Sequence, residues 1–267
     1  MSDADHTSAH PVPGQRHRRD RLGANLLAIA LALGIVAFLL VALGGPGYRF
    51  GWWHFRTGFD LMKWGAQAGI AAMLLALAGI VLSRRRRLGT GLAALALGFL
   101  AFFLPWNWRR SAGDVPPIHD ITTDTENPPV FRSLVAVRQA DDATNPADYE
   151  GDSVAALQRE AYPDVRPVWI PAEPDSAYAV ALRAVRDLGW EVADADLREG
   201  RIEATDQTGW FGFRDDVVIR VMPSSGISRV DVRSVSRVGR GDLGMNAKRI
   251  RAYLTLLKEE YGAIERE

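Results

Sequence analysis

Asn25 to Leu43 reads NLLAIALALGIVAFLLVAL, and the architecture turns on this stretch. No charged side chain interrupts it, and a helix needs about 20 apolar residues to cross a hydrocarbon core of about 30 Å. Two further apolar stretches follow closely, Gly65 to Leu82 and Leu88 to Leu104. Even the shortest rises nearly the thickness of the core at about 1.5 Å per residue. All three are expected to span a membrane. A buried helical hairpin in a soluble protein is the alternative, but Gln67 is the most polar interior residue, which argues against it. Cleavage of the first stretch as a signal peptide is also disfavoured. The run exceeds an apolar region of roughly 7–15 residues, and Ala42-Leu43-Gly44 is a poor small-x-small site.

The charges sort around these spans. The 267-residue chain balances 32 Lys and Arg against 32 Asp and Glu, yet up to Leu104 eleven basic residues face only four acidic ones. The remainder is correspondingly acidic. Positive segments resist translocation, so Arg16, Arg18, Arg19 and Arg21, together with the loop Arg84-Arg85-Arg86-Arg87, are expected on the cytoplasmic side. The connection between the first two spans carries Tyr48, Phe50, Trp52, Trp53, Phe55 and Trp64, which read as an interfacial aromatic belt on the far side, continued by Trp106 and Trp108. The expected organisation is a cytoplasmic tail (1–24), a three-helix transmembrane region (25–104), a linker (105–118) and an extracytoplasmic α+β domain (119–267). Four-residue spacings of small residues, Gly65 with Gly69 and Ala30 with Gly34, favour a compact bundle. No span carries a charge, which argues against an ion or proton pathway. The chain has no cysteine, so a disulfide framework, thiolate metal sites and a cysteine nucleophile are excluded.

Beyond the spans, prolines at 116, 117, 128, 129, 146, 163, 167, 171 and 174 forbid long regular elements. An extended wrap with one short helix near Ser153 to Ala161 is expected. From Asp175 a helix is expected, with Asp175 or Ser176 as cap, Ala177, Ala181, Ala184, Val185 and Leu188 on its apolar face, and Gly189 as its end. Four strands follow: Trp190 to Ala195, Arg201 to Thr205, Val217 to Met222 and Ser228 to Val235. In the third, Val217, Ile219 and Val221 share a face; in the fourth, Val230 and Val232 oppose Asp231, Arg233 and Val235. A last helix runs from about Leu243 to Tyr261, with Asp242 as cap. This order predicts an antiparallel four-stranded sheet with two helices on one face, the proline-rich wrap covering the other.

Two stretches go beyond composition: PPIHDITTD at Pro116 to Asp124, and RSVSRVGRGDLGMN at Arg233 to Asn246. With Ala161-Tyr162-Pro163, GRIEAT at Gly200 to Thr205 and FRDDVVIRV at Phe213 to Val221, they resemble the domain of unknown function 1499 family. The resemblance covers roughly Asp114 to Tyr261 in matching order. It implies no activity, substrate or catalytic residue, and the three-span module is similar to the membrane anchors of some bacterial members.

Two polar clusters are candidate sites. In the first, His119 could act as a general base oriented by Asp120 or Asp124, because an imidazole titrates near neutrality and needs a fixed tautomer. The alternative is that these Asp and Thr side chains bond local backbone and pin the wrap to the sheet. In the second, Arg233 and Arg237 stand near Gly239, Gly241 and Gly244 ahead of a helix; with Asp215, Asp216 and Asn246 they form a candidate ligand-binding set for an anionic group. The alternative is a tight turn whose arginines pair with Asp215, Asp216 or Asp120. GWFGF at Gly209 to Phe213 is either an exposed docking loop or a lid on the sheet. No metal site and no cofactor are expected, since His119 is the only histidine beyond His54 and no Walker, GxSxG or dinucleotide motif occurs. The expected partners are the lipid bilayer and an envelope protein, not nucleic acid. The function expected is a binding or assembly module of the bacterial inner membrane, with a membrane-anchored enzyme as the competing reading.

Overall fold

A computed structural model describes residues 13–83, 87–113 and 115–266; Arg84 to Arg86 of the basic loop, the side chain of Arg16, and Asp114 fall outside the described residues. The chain divides into two compact units, Met1–Arg110 and Ser111–Glu267.

The first unit holds three helices, α1 (Pro13–Arg49), α2 (Phe55–Leu82) and α3 (Leu88–Gly113), each long and apolar enough to cross a membrane. All three run past the expected limits, α2 by starting at Phe55 rather than Gly65. Pro105 does not end α3; it lies inside it, as Pro46 lies inside α1. A proline removes one intrahelical hydrogen bond, and here neither helix stops at it. The helices touch through their small residues. A Cβ on Gly69 would come 2.6 Å from the Gly98 carbonyl oxygen, and one on Gly98 equally close to the Gly69 oxygen. Gly65 meets α1 in the same way, its Cβ position 2.8 Å from the Ala37 oxygen, while Ala30, Ala76 and Ala94 form a common contact. Such contacts let backbones approach to distances that larger residues forbid.

The second unit is an antiparallel sheet with helices on one face and a covering segment on the other. It contains six strands rather than the four expected: β1 (Asp120–Thr122), β2 (Val168–Ile170), β3 (Glu191–Asp196), β4 (Arg201–Gln207), β5 (Arg214–Ser224) and β6 (Ile227–Ser236). The order is β1-β6-β5-β4-β3, with β2 also on β6. β1 pairs residues 233–235 of β6 and β2 pairs residues 228–230, so the two short strands lie end to end along one edge. Three-residue strands between prolines show no alternation, and they form because β6 offers an unpaired edge. Two helices, α4 (Ser133–Ala140) and α5 (Asp152–Ala161), interrupt the wrap where one was expected.

Helices α6 (Pro174–Asp187) and α7 (Met245–Tyr261) bury Ala181, Val185, Ile250 and Leu254 against Ile219 and Val232 of the sheet. The start of α6 differs from expectation: Pro174 occupies its first turn, Glu173 is the cap residue, and no side chain caps it. α7 begins later than expected, at Met245 with a left-handed Gly244 as its cap residue rather than Asp242, although the Asp242 carboxylate accepts from Gly244 N at 2.8 Å and Asn246 N at 2.6 Å just ahead of the helix.

The other face of the sheet is charged. Register sets Arg201 beside Arg220 and Asp231, Glu203 beside Val218 and Arg233, and Thr205 beside Asp216 and Val235. The wrap crosses it, with Phe131 and Leu134 packed on Val218 and Val235.

Substitution of Gly98 by Val is expected to cost about 1–3 kcal/mol through forced separation of α2 and α3. Gly89, whose Cβ position is open, should tolerate Ala at no cost. Thermal melts of the full chain in detergent check the pair, and equal melting points for the two variants would contradict the packing.

Candidate functional site

The PPIHDITTD stretch forms β1 and its flanks, and the stretch from Arg233 to Asn246 forms the end of β6 and the turn into α7. They meet directly. The His119 carbonyl accepts from Ser236 N at 3.0 Å and from Asn246 Nδ2 at 2.9 Å, and the Ile118 carbonyl accepts from Asp242 N at 3.2 Å.

At the centre stands Arg233, 1% exposed. Its Nε and Nη2 donate to the two carboxylate oxygens of Asp120 at 2.9 and 2.7 Å. Nη2 also donates to the Ala147 carbonyl at 2.9 Å, and Nη1 to the Pro129 carbonyl at 3.3 Å. The Phe131 and Tyr149 rings lie 5.3 and 5.4 Å from the guanidinium carbon, within cation–π range. Burial pushes the Asp120 carboxyl upward, and the Arg233 hydrogen bonds and charge oppose that shift.

Arg237 is equally engaged. It donates to Asp216 through Nε at 2.9 Å and Nη2 at 2.7 Å, and it also pairs with Asp141. Asp216 accepts in addition from Arg138 Nη1 at 2.6 Å and from Thr205 Oγ1 at 2.8 Å. Asp215 points to the opposite face, as consecutive strand residues must. There it accepts from Arg249 Nη2 at 2.6 Å, and Asn246 Oδ1 accepts from Arg249 Nη1 at 2.7 Å. The five residues grouped as a ligand set, Arg233, Arg237, Asp215, Asp216 and Asn246, are therefore split between two faces of the sheet.

The catalytic grouping also separates. Asp124 accepts from Arg229 Nη2 at 2.8 Å, while its other oxygen accepts from Asn127 N at 2.9 Å. His119 is bonded to Ser236, at the other end of β6 from Arg229. The five steps from His119 to Asp124 run extended along β6, about 17 Å at about 3.4 Å per residue, so Asp124 does not orient His119. The carboxylate beside the imidazole is Glu150, its Oε2 3.5 Å from Nε2, an ion-pair distance without hydrogen-bond alignment. His119 is 8% exposed and its Nε2 has no hydrogen-bond partner. Thr122 and Thr123 bond backbone as the pinning alternative requires. Gln158 brackets the Thr122 peptide at 2.9 and 2.6 Å, and Thr123 Oγ1 accepts from Val232 N at 2.9 Å.

Reasoning from sequence misses Glu203. This carboxylate is fully buried in β4 and accepts from three successive amides, Arg132 N at 2.7 Å, Ser133 N at 3.2 Å and Leu134 N at 2.8 Å. It thus supplies the negative charge that the amino terminus of α4 favours, from a distant strand. A buried-face glutamate within GRIEAT was the available signal. Phe211 is 1% exposed and stacks on Phe213 at 5.0 Å, the lid arrangement rather than an open aromatic loop. Among the described residues no group of three or more His, Asp or Glu side chains could hold a metal ion.

The family described as Protein of unknown function (DUF1499) matches residues 120–257, about half of the chain. The chain belongs to this family. The match begins at Asp120, whose carboxylate holds Arg233, and includes every strand, all of α6 and most of α7. No curated protein and no solved structure matches the chain.

Breaking a buried pair from one side typically costs about 3–5 kcal/mol. Asp120→Ala and Arg233→Met are each expected in that range, and the double variant should cost less than their sum. Denaturation of the full chain measures all three, and strict additivity would show that the pair is not coupled. Burial also pushes the Tyr149 hydroxyl to about 12, with Asp120 adding to the rise. A phenol that holds its proton more tightly when folded adds stability below its unfolded pKa of about 10, lost as pH rises toward 12. Melting points should therefore fall across that window, with a shallower fall in Tyr149→Phe.

Proposed function

We propose that this chain is a multi-pass protein of the bacterial inner membrane, its amino terminus cytoplasmic and its α+β unit on the outer side. There it serves as a binding or assembly component of the cell envelope. The observation that carries the orientation is the charge pattern around three apolar helices. Arginine flanks the start of α1 and the α2–α3 connection, aromatics flank the opposite ends, and the chain beyond α3 is acidic.

What weighs for binding over catalysis is how the polar groups are used. The grouping expected for catalysis, His119 with Asp120 or Asp124 and Arg233 open to a substrate, is not assembled. Instead Asp120 and Arg233 neutralise each other out of contact with water, and Asp124 is tied to Arg220 and Arg229. Each ion pair fastens a part of the wrap to the sheet. The fold thus resembles a rigid platform on a membrane tether more than an open reaction site.

Reporter fusions test the topology. Alkaline phosphatase joined after Asp175 should be active, and a reporter that works only in the cytoplasm should be silent there; the reverse result overturns the orientation. For the binding role, an envelope protein should co-purify in fixed stoichiometry with the full chain under mild detergent. Retention of that same protein by residues 1–110 alone would move the binding role to the anchor.

A further inference from the structure

The arginines of the two units are used differently. In the second unit Arg138, Arg201, Arg220, Arg229, Arg233, Arg237 and Arg249 are all held by carboxylates. In the first, Arg18, Arg19, Arg21 and Arg87 are exposed, and none has a hydrogen-bond or ion-pair partner from its guanidinium among the described residues.

These four are not on loose tails. The apolar run of α1 begins at Asn25, but the helix begins at Pro13, so Arg18, Arg19 and Arg21 are carried on turns continuous with the span. α1 has 37 residues. At about 1.5 Å per residue it is well longer than a 30 Å hydrocarbon core, which leaves this amino-terminal extension at headgroup level. The level is shared with the end of α2. Gly23 packs so closely that a Cβ there would lie 2.6 Å from Ser83 N, and Ser83 closes α2 four residues before Arg87. The start of α3 reaches the same level separately, since a Cβ on Gly91 would lie 3.3 Å from Leu27 Cδ2 of α1 and against Ile80 of α2, so the basic turns of α1 and Arg87 stand around a common rim.

We infer that Arg18, Arg19, Arg21 and Arg87 form a binding rim for the phosphate of anionic phospholipid headgroups in the adjoining leaflet. The guanidinium fork matches two phosphate oxygens, and an unpaired guanidinium gives up no protein partner to bind one. Asp20 is the acidic residue among them, so the rim stays net positive. Because the rim is continuous with a spanning helix, the phosphate it meets is the lipid's, held in the same plane, rather than that of a free anion or a nucleic acid. The inference rests on the helices spanning a bilayer and holds for either orientation, so its failure and that of the topology are separate results.

The test uses the full chain reconstituted in phosphatidylcholine vesicles, with spin-labelled phosphatidylglycerol or spin-labelled phosphatidylcholine as probe. The fraction of motionally restricted label gives relative association. Phosphatidylglycerol should associate several-fold more strongly than phosphatidylcholine, with the preference reduced in about 1 M salt, where the Debye length falls to about 3 Å. The variant with Arg18, Arg19, Arg21 and Arg87 all changed to Gln should lose most of the preference. The corresponding Lys variant should keep most of it, which separates loss of charge from loss of fold. Inorganic phosphate at constant ionic strength should not compete. Equal association of the two probes, an unchanged preference in the Gln variant, equal loss in the Lys variant, or displacement by inorganic phosphate would each overturn the proposal.

Discussion

A guanidinium buried among backbone carbonyls and aromatic rings is tolerated only if its charge is matched, and Arg233 meets that demand through Asp120. The match has long reach in sequence. Asp120 belongs to the first strand of the unit, the Pro129 and Ala147 carbonyls to the wrap, and Arg233 to the last strand. One side chain therefore closes the covering segment over the sheet and fixes β1 on the edge of β6. Glu203 and Asp216 repeat the arrangement further along the same face, one receiving the amino terminus of α4 and the other receiving Arg138 from that helix. Isolated buried pairs add little net stability, but they penalise every arrangement in which one member is left alone. The charged face thus works as a register device: the wrap can lie down in one way.

This division of labour explains which parts of the fold were legible in the sequence. The alternation of Val217, Ile219 and Val221 and the apolar face of α6 with Ala177, Ala181, Ala184 and Val185 follow from periods of two and of 3.6, and both emerge where expected. β1, β2 and α4 escape such reading because their positions are dictated by partners far along the chain: a free edge of β6 for the strands, a buried Glu203 for the helix. The clusters show the same limit. Arginines pairing with Asp120 and Asp216 were a foreseeable outcome, whereas the separation of Asp215 from Asp216, and of Asp124 from His119, depends on face and on distance along β6. Glu150 became a neighbour of His119 only through the path of the wrap.

The two units, the first with helices apolar enough to cross a membrane, pack by different means. Between helices in lipid there is little hydrophobic driving force, and packing rests on Gly69 against Gly98 and Gly65 against Ala37. In the α+β unit apolar burial builds one side of the sheet, while ion pairs under a proline-rich cover build the other. Membership of a family without an assigned activity is consistent with a domain whose most eye-catching polar residues serve its own architecture.

The central claim, that the charged face is a fastening and not an opening, is tested most directly by native-state hydrogen exchange on the full chain. The amides of Arg132, Ser133 and Leu134, all bound to Glu203, should exchange as slowly as those at the centre of β5 and only through the same global opening. Fast exchange at these three amides, with β5 still protected, would mean that the wrap lifts from the folded sheet and exposes the charged face, and would contradict the account.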